Sequence, residues 1–291
     1  MVNKEKNRIA GRAQTATSSR DQATARRYRH GTCRKVSVVI TAAIVILGAT
    51  SAWATQVPFA PGEKLLYNLR WGFIDVGTAT SEVRQVTDLD GVEAYHFVMT
   101  AHSNSFLDAF YKVRDTIEAW AETNMSRSLL YHKNQHEGRH RRQEVVRFKW
   151  QGEEGVALYH EALSGRKERT PLMPGSLDPL SAFFYVRTQP LREGVVVKRP
   201  ITDGKKNVWG RATVVGRETI KIDDRTYDTW VVVPDLEHVG GVFKKSKDAT
   251  IRIWITADER QMLVKLASKV VVGSFVGELM ADPEGDQTAS E

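Results

Sequence analysis

The sequence predicts a mainly β fold: an antiparallel sheet that is curved, packed as a sandwich or closed into an open barrel, with one short helix near residues 178–188. Three observations predict it. Apolar and polar residues alternate in many short runs. Gly- and Asp-containing turns separate these runs at hairpin spacing. No long helical pattern intervenes, so neighbouring strands are expected to pair antiparallel within a single domain, 55–281.

The alternating runs are rich in β-branched and aromatic side chains, as strands are. In the first run Leu65, Tyr67, Leu69 and Trp71 share one side of the chain. We expect further strands at 95–101, 111–117, 130–135, 144–150, 195–197, 212–215, 219–222, 230–233, 251–255, 262–266 and 270–272. We expect turns at 90–91, 137–138, 152–155, 203–204 and 223–224.

One segment has the pattern of a helix. Asp178 is suited to the N-cap, and Pro179 to the first helical position. Leu180, Phe183, Phe184 and Arg187 then fall on one helical face that is mostly apolar. A helix here would pack against the sheet and divide the strands into two sets.

The first 54 residues have the pattern of an export signal. A basic stretch to Lys35 precedes 36–54, which has no charged residue and ends in Ala52-Trp53-Ala54. This order matches a signal peptide cleaved after Ala54. The alternative is an uncleaved N-terminal anchor, because 19 uncharged residues are just long enough to span a bilayer. Either interpretation places the remaining chain outside the cytoplasm, with a polar, disordered tail at 282–291.

Charge and cysteine usage exclude several classes of function. The chain of 291 residues has a net charge of +7, but residues 1–54 hold ten Lys and Arg against two Asp and Glu. The rest is nearly neutral, so a nucleic-acid partner is not expected. The single cysteine, Cys33, lies in the leader, which excludes thiol catalysis and cysteine-ligated metals from a cleaved chain.

Several motifs resemble the DUF3108 family of bacterial exported proteins. They are F-x-P-G-E-x-L-x-Y at 59–67, W-G at 71–72, V-G at 76–77, D-P-L-S-A-F at 178–183, W-I-x-x-D at 254–258, V-K at 264–265 and G-x-x-x-G-E-L at 273–279. The resemblance implies an exported, β-rich protein. It implies no catalytic residues and no cofactor, so none are assigned.

Large side chains in these motifs have two interpretations. In the first, they pack the core, where Tyr67 and Trp254 would bury their rings and their polar atoms would form hydrogen bonds. Alternatively they line a ligand cavity between the sheet and the helix. The residues of this hypothetical cavity are Leu65, Tyr67, Trp71, Phe183, Phe184 and Trp254.

Residues 136–140 match the zinc-hydrolase motif H-E-x-x-H. On a helix, His136 and His140 would ligate zinc and Glu137 would activate water. Gly138 and the neighbouring arginines disfavour such a helix and such a cation. A polar hairpin turning at 137–138 fits the residues better, so zinc hydrolysis remains only an alternative.

The sequence therefore predicts a non-catalytic cell-envelope protein that needs no cofactor. It would bind an apolar or amphipathic ligand such as a lipid, or an envelope protein. The basic cluster 139–142 would either contact anionic lipid head groups or lie on a solvated strand edge, where its charges protect against aggregation.

Overall fold

The computed structural model describes residues 57–235, 250–269 and 274–281. The predicted leader, the predicted tail and the predicted strand 270–272 lie outside these residues. By its internal contacts the chain divides after Ser51, and Ala52–Glu291, which holds every described residue, forms a compact unit of its own.

Eight strands and a short helix precede the main helix. They are β1 (Lys64–Trp71), β2 (Ile74–Leu89), β3 (Val92–Ser103), α1 (Ser105–Asp108), β4 (Arg114–Glu122), β5 (Ser128–Glu137), β6 (His140–Gln151), β7 (Glu154–Glu161) and β8 (Lys167–Leu172).

The predicted helix is α2 (Pro179–Arg187), and it divides the strands as expected. Six strands follow it within the described residues. They are β9 (Val196–Thr202), β10 (Asn207–Ile222), β11 (Arg225–Pro234), β12 (Thr250–Thr256), β13 (Leu263–Lys269) and β14 (Ser274–Ala281).

All fourteen described strands form one antiparallel sheet, which confirms the predicted fold class. Its order is β8-β7-β6-β5-β4-β3-β2-β1-β14-β13-β12-β11-β10-β9, so β8 and β9 are its edges. These two edges lie close together. A hydrogen bond joins them, because Thr170 Oγ1 in β8 donates to the carbonyl of Gly204, just after β9, at 2.8 Å. A parallel bridge between Leu177 and Ile201 continues this contact. The sheet is therefore barrel-like and nearly closed.

Turn residues fix the register of the hairpins. Asp90 and Gly91 both have positive φ, 57° and 85°, as a two-residue turn between right-handed twisted strands requires. Gly138 has φ 56° in the turn between β5 and β6. The hairpin predicted around 137–138 is thus confirmed.

Two features of the strands differ from the predictions. The runs 212–215 and 219–222 belong to a single strand, β10, which has a bulge between Val214 and Gly216. Strands β2, β7 and β8 were not predicted. Strand β2 carries small and polar residues such as Gly77 and Thr78, and therefore lacks a strong apolar alternation.

Three clusters of buried apolar side chains make up the described core. One packs β2–β8 against α2, a second involves β1 and β10–β14, and the third lies on β10–β12 next to α2. Phe183 packs against the first two clusters and Val186 against the third. Because α2 contacts all three, its position determines the space enclosed by the sheet.

Candidate functional site

The start of α2 is held by a buried carboxylate. Asp178 Oδ1 accepts hydrogen bonds from the backbone N–H groups of Leu180 and Ser181, each at 2.9 Å. Its Oδ2 accepts from the hydroxyls of Ser128 and Ser181, at 2.5 and 2.6 Å. Burial raises the pKa of Asp178, and these hydrogen bonds oppose the rise. Since Ser128 begins β5, the network fixes the start of the helix against the sheet.

The end of α2 is held by a buried ion pair. Arg187 is 1% exposed, and its Nη1 and Nη2 donate to the two carboxylate oxygens of Glu63 at 2.6 and 2.9 Å. Its remaining donors reach the carbonyls of Gln261 at 2.8 Å and Arg260 at 3.0 Å. The guanidinium also lies near the rings of Phe59 and Phe184. The helix end is therefore tied to the entry of β1 and to the connection between β12 and β13.

A cavity of about 200 Å³ lies between α2 and strands β9–β12. Most of its lining is apolar. The lining residues are Pro179, Ala182, Phe183, Tyr185, Val186, Val197, Arg199, Ile201, Gly210, Arg211, Ala212, Val232, Pro234, Ile253 and Ile255. Among the described residues, the lining includes two arginines and no carboxylate. An apolar group, with or without an anionic end, would match this lining.

Arg199 is held at the border of the cavity. Its guanidinium carbon lies 4.6 Å from the centroid of the Tyr185 ring, a cation–π contact with α2. Its Nη2 donates to the carbonyl of Ser126 and, at 3.4 Å, to that of Met125. Its buried Nε has no hydrogen-bond partner among the described residues. The cation is thus oriented by the protein, with some of its hydrogen-bonding capacity unused.

Three residues of the hypothetical cavity are instead packed together in the core. Leu65, Tyr67 and Trp254 belong to one buried cluster. The Tyr67 hydroxyl donates to the Leu263 carbonyl at 3.0 Å, and Trp254 Nε1 donates to Glu218 at 2.8 Å. These contacts are those that the core interpretation predicted for amphipathic aromatics.

The other three residues are separated from one another. Phe184 is fully buried and stacks on Phe97 with ring centroids 4.0 Å apart. Trp71 lies at the end of β1 and is 47% exposed. Phe183 is the member of the predicted set that lines the observed cavity. The structure therefore does not bring the six residues together around one space.

Sequence reasoning predicted strands at the positions of β9 and β12 but did not assign them to the wall of a cavity. Val197, Arg199 and Ile201 share one side of β9, and Ile253 and Ile255 share one side of β12. The alternation that marks them as inward-facing is visible in the sequence. Their proximity to α2 depends on the curvature of the sheet, which the alternation does not specify.

The zinc alternative is contradicted by the hairpin at 136–140. Cross-strand partners point to one face of a sheet, and Glu137 pairs with His140 whereas His136 pairs with Arg141. His136 and His140 therefore lie on opposite faces and cannot ligate one ion. No group of three or more metal-ligating side chains occurs within the described ranges.

Glu137 instead takes part in a cluster of titratable groups on one face of β4 and β5. Burial and a hydrogen bond with Asp115 raise the pKa of Glu137, while Lys133 and His140 oppose the rise. Gln135 Nε2 donates to Glu137 at 3.1 Å, and Asp115 accepts from the backbone N–H of His136 at 2.9 Å. When both groups are ionised, the carboxylates of Glu137 and Asp115 repel each other in a partly desolvated site.

Lys133 extends this cluster towards β6. Burial lowers the pKa of Lys133, and the carboxylates of Glu144 and Glu137 oppose that effect. Glu144 accepts hydrogen bonds from the Tyr159 hydroxyl at 2.7 Å and from Lys205 Nζ at 2.9 Å. The charges in this part of the sheet are largely matched by their neighbours, which is typical of a structural network.

Comparison with known families agrees with the motifs. The family model described as "Protein of unknown function (DUF3108)" matches residues 66–280, which is most of the chain. The chain belongs to the DUF3108 family.

Among solved structures, the DUF3108 chain is similar to a "Beta-barrel-like Protein of Domain of Unknown Function DUF1849 from Brucella abortus", with 8% identity and a TM-score of 0.48. The alignment covers 75% of the DUF3108 chain and 95% of the other chain. The search of curated proteins gave no match. Within the described ranges, the DUF3108 chain has no helix both long and apolar enough to cross a bilayer.

The carboxylate pair of the DUF3108 chain predicts a pH-dependent effect of Glu137→Gln. A raised pKa means that the folded state binds the proton more tightly, so stability falls as pH rises from about 4.5 through the raised value. Because Gln cannot ionise, we expect the variant to be more stable by a few tenths to about 1 kcal/mol at pH 7. We expect no gain near pH 4. Urea denaturation at both pH values measures this difference.

The matched control is Glu153→Gln, in the exposed turn between β6 and β7. It should not reproduce the pH-dependent gain. An equal effect of Glu137→Gln at both pH values would contradict the assigned repulsion.

Proposed function

We propose that this protein is an exported, non-catalytic cell-envelope protein that holds the apolar part of an amphipathic ligand in the cavity beneath α2. The observation that carries the proposal is the apolar space of about 200 Å³ between α2 and β9–β12. An apolar cavity of about 150 Å³ holds a molecule the size of benzene. The observed space would therefore hold a ring or a short stretch of acyl chain, with the polar end of the ligand outside.

The arginines of the cavity lining favour an anionic ligand. No described residue of the lining places a carboxylate beside Arg199 and Arg211. A long-chain carboxylate would bury methylene groups, each contributing about 0.8 kcal/mol, and place its charge near these arginines. An alkylammonium ion of equal length would bring like charges together.

Export is the second part of the proposal. It is supported by the basic stretch, the uncharged segment 36–54 and the Ala52-Trp53-Ala54 sequence, all of which precede the first strand. Native mass spectrometry of protein purified from its own cell envelope tests export and ligand together. We expect a chain beginning at Thr55 that carries an additional amphipathic mass. Recovery of the intact chain from the cytosol would refute export.

Filling the cavity should weaken ligand binding. Ala212 lines the cavity from β10, and Ala212→Leu adds three carbon atoms to that wall. We expect dodecanoate, titrated by calorimetry, to bind the variant at least tenfold more weakly, because the ligand loses room for two or more methylenes. Dodecanol and dodecylammonium test the role of charge.

Thr213→Leu is the matched control, because it enlarges the next residue of β10, which does not line the cavity. Binding by this control should remain within twofold of the parent protein. The cavity proposal is wrong if dodecanoate and dodecanol both fail to bind the parent protein. It is also wrong if a folded Ala212→Leu protein binds as well as the parent.

A further inference from the structure

Large apolar side chains are concentrated at one end of the sheet. They lie on the β1–β2 turn and on the β3–β4 connection, which contains α1. We call this set the aromatic rim, and its members are Trp71, Phe73, Ile74, Phe106, Phe110 and Tyr111. The set accounts for half of the twelve large hydrophobic side chains that are exposed in the described residues. Phe73 is fully exposed and Phe110 is 78% exposed, although phenylalanine side chains are usually buried.

The rim is continuous because its two connections contact each other. Asn104 Nδ2 donates to the Asp75 carbonyl at 2.7 Å, which links the entry of α1 to the β1–β2 hairpin. The rings of Phe106 and Phe110 meet edge to face with centroids 5.9 Å apart. The Tyr111 ring lies so close to Gly138 that an added Cβ there would be 2.7 Å from it. The rim therefore extends to the β5–β6 turn.

Cations border the rim at that turn. Lys112, Arg139 and Arg141 are exposed, and none forms a salt bridge with a carboxylate in the ranges that the structure describes. The rim also includes acidic groups. Asp108 is paired with Arg114 at 2.6 Å, and Asp75 accepts a hydrogen bond from Asn68 at 2.7 Å. The carboxylates of Glu137 and Asp115 also act on Tyr111, but both are half-buried. The exposed charges that carry no salt bridge next to Tyr111 are therefore positive.

We propose that the aromatic rim docks onto the surface of an anionic lipid bilayer. Its Trp, Phe and Tyr side chains would enter the head-group region, where such side chains are favoured, and Lys112, Arg139 and Arg141 would contact the lipid phosphates. A lipid surface fits better than a protein partner, because the rings project from separate turns and three exposed cations without a salt bridge lie beside them. This inference is independent of the cavity, which is lined by other residues.

Vesicle flotation of the unit Ala52–Glu291 tests the proposal. We expect it to bind vesicles of phosphatidylglycerol and phosphatidylethanolamine but not vesicles of pure phosphatidylcholine. We expect it to dissociate as the salt concentration is raised. The double variant Phe73→Ser and Phe110→Ser should bind at least tenfold more weakly. Lys112→Glu with Arg139→Glu should have a similar effect, since each cation near an anionic surface contributes about fivefold.

Two control variants match these changes elsewhere on the surface. Trp209→Ser removes a ring that is 58% exposed on β10, and Lys198→Glu reverses an exposed charge on β9. Both should bind vesicles within twofold of the parent protein, and circular dichroism should confirm that all variants fold. Absence of vesicle binding, or equal effects of rim and control variants, would overturn the proposal. So would a rim variant that abolishes self-association, seen by size-exclusion chromatography, while vesicle binding is unchanged.

Discussion

Arg187→Met is expected to lower the free energy of unfolding by about 3–5 kcal/mol, the usual cost of removing one partner of a buried ion pair. Arg187 and Glu63 are both nearly inaccessible to solvent, so the variant leaves the Glu63 carboxylate buried without its cation. The carbonyls of Arg260 and Gln261 lose their donors as well. Urea denaturation measures the change.

Two comparisons separate this effect from general damage to the core. The double variant Arg187→Met with Glu63→Leu should be more stable than Arg187→Met alone, because no charge remains buried. Arg217→Met removes an exposed partner of Asp228 and should change stability far less. The assigned role of the pair would be refuted if the double variant were no more stable than Arg187→Met.

Asp178→Ala should lower the free energy of unfolding by about 3–5 kcal/mol. The substitution leaves two backbone N–H groups at the start of α2 and the hydroxyls of Ser128 and Ser181 without their acceptor. A buried group that loses its partner costs about 1–3 kcal/mol, and the four costs are not fully additive. Chemical denaturation measures the loss, and the helix signal in circular dichroism reports on α2.

Asp178→Asn is the informative control. Its side-chain carbonyl can still accept from the backbone, and burial already disfavours the charged form of Asp178. We expect a loss of only about 1 kcal/mol. A loss as large as that of Asp178→Ala would mean that the negative charge, rather than the acceptor geometry, holds the helix.

Much of the fold could be predicted from local patterns. The alternation of Leu65, Tyr67 and Leu69 gives a strand, Asp178 and Pro179 give the start of a helix, and Asp90 with Gly91 gives a hairpin. These features depend on neighbouring residues only. Strand β2 was not predicted, because its small and polar residues form a strand only through pairing with β1 on one side and β3 on the other.

The candidate site was predicted less well, because it depends on how the whole sheet curves. The helical pattern placed Phe183 and Phe184 on one apolar face of α2, but one lines the cavity and the other fills the core. Trp71 is on the same side of β1 as Leu65 and Tyr67, but it lies at the end of the strand, outside the core. The helical pattern placed Arg187 on the apolar face of α2, but the sequence could not identify its partner Glu63, 124 positions away.

The order of the sheet also affects how the protein completes its fold during synthesis. Strands β1–β8 follow one another as a meander, but the second neighbour of β1 is β14, the last of the described strands in chain order. Until residues 274–281 emerge, one side of β1 keeps its backbone amides and carbonyls unsatisfied, and such an open edge invites pairing with other chains. If the chain is exported as proposed above, it would need a holding factor or rapid passage to keep β1 from pairing with other chains until β14 arrives.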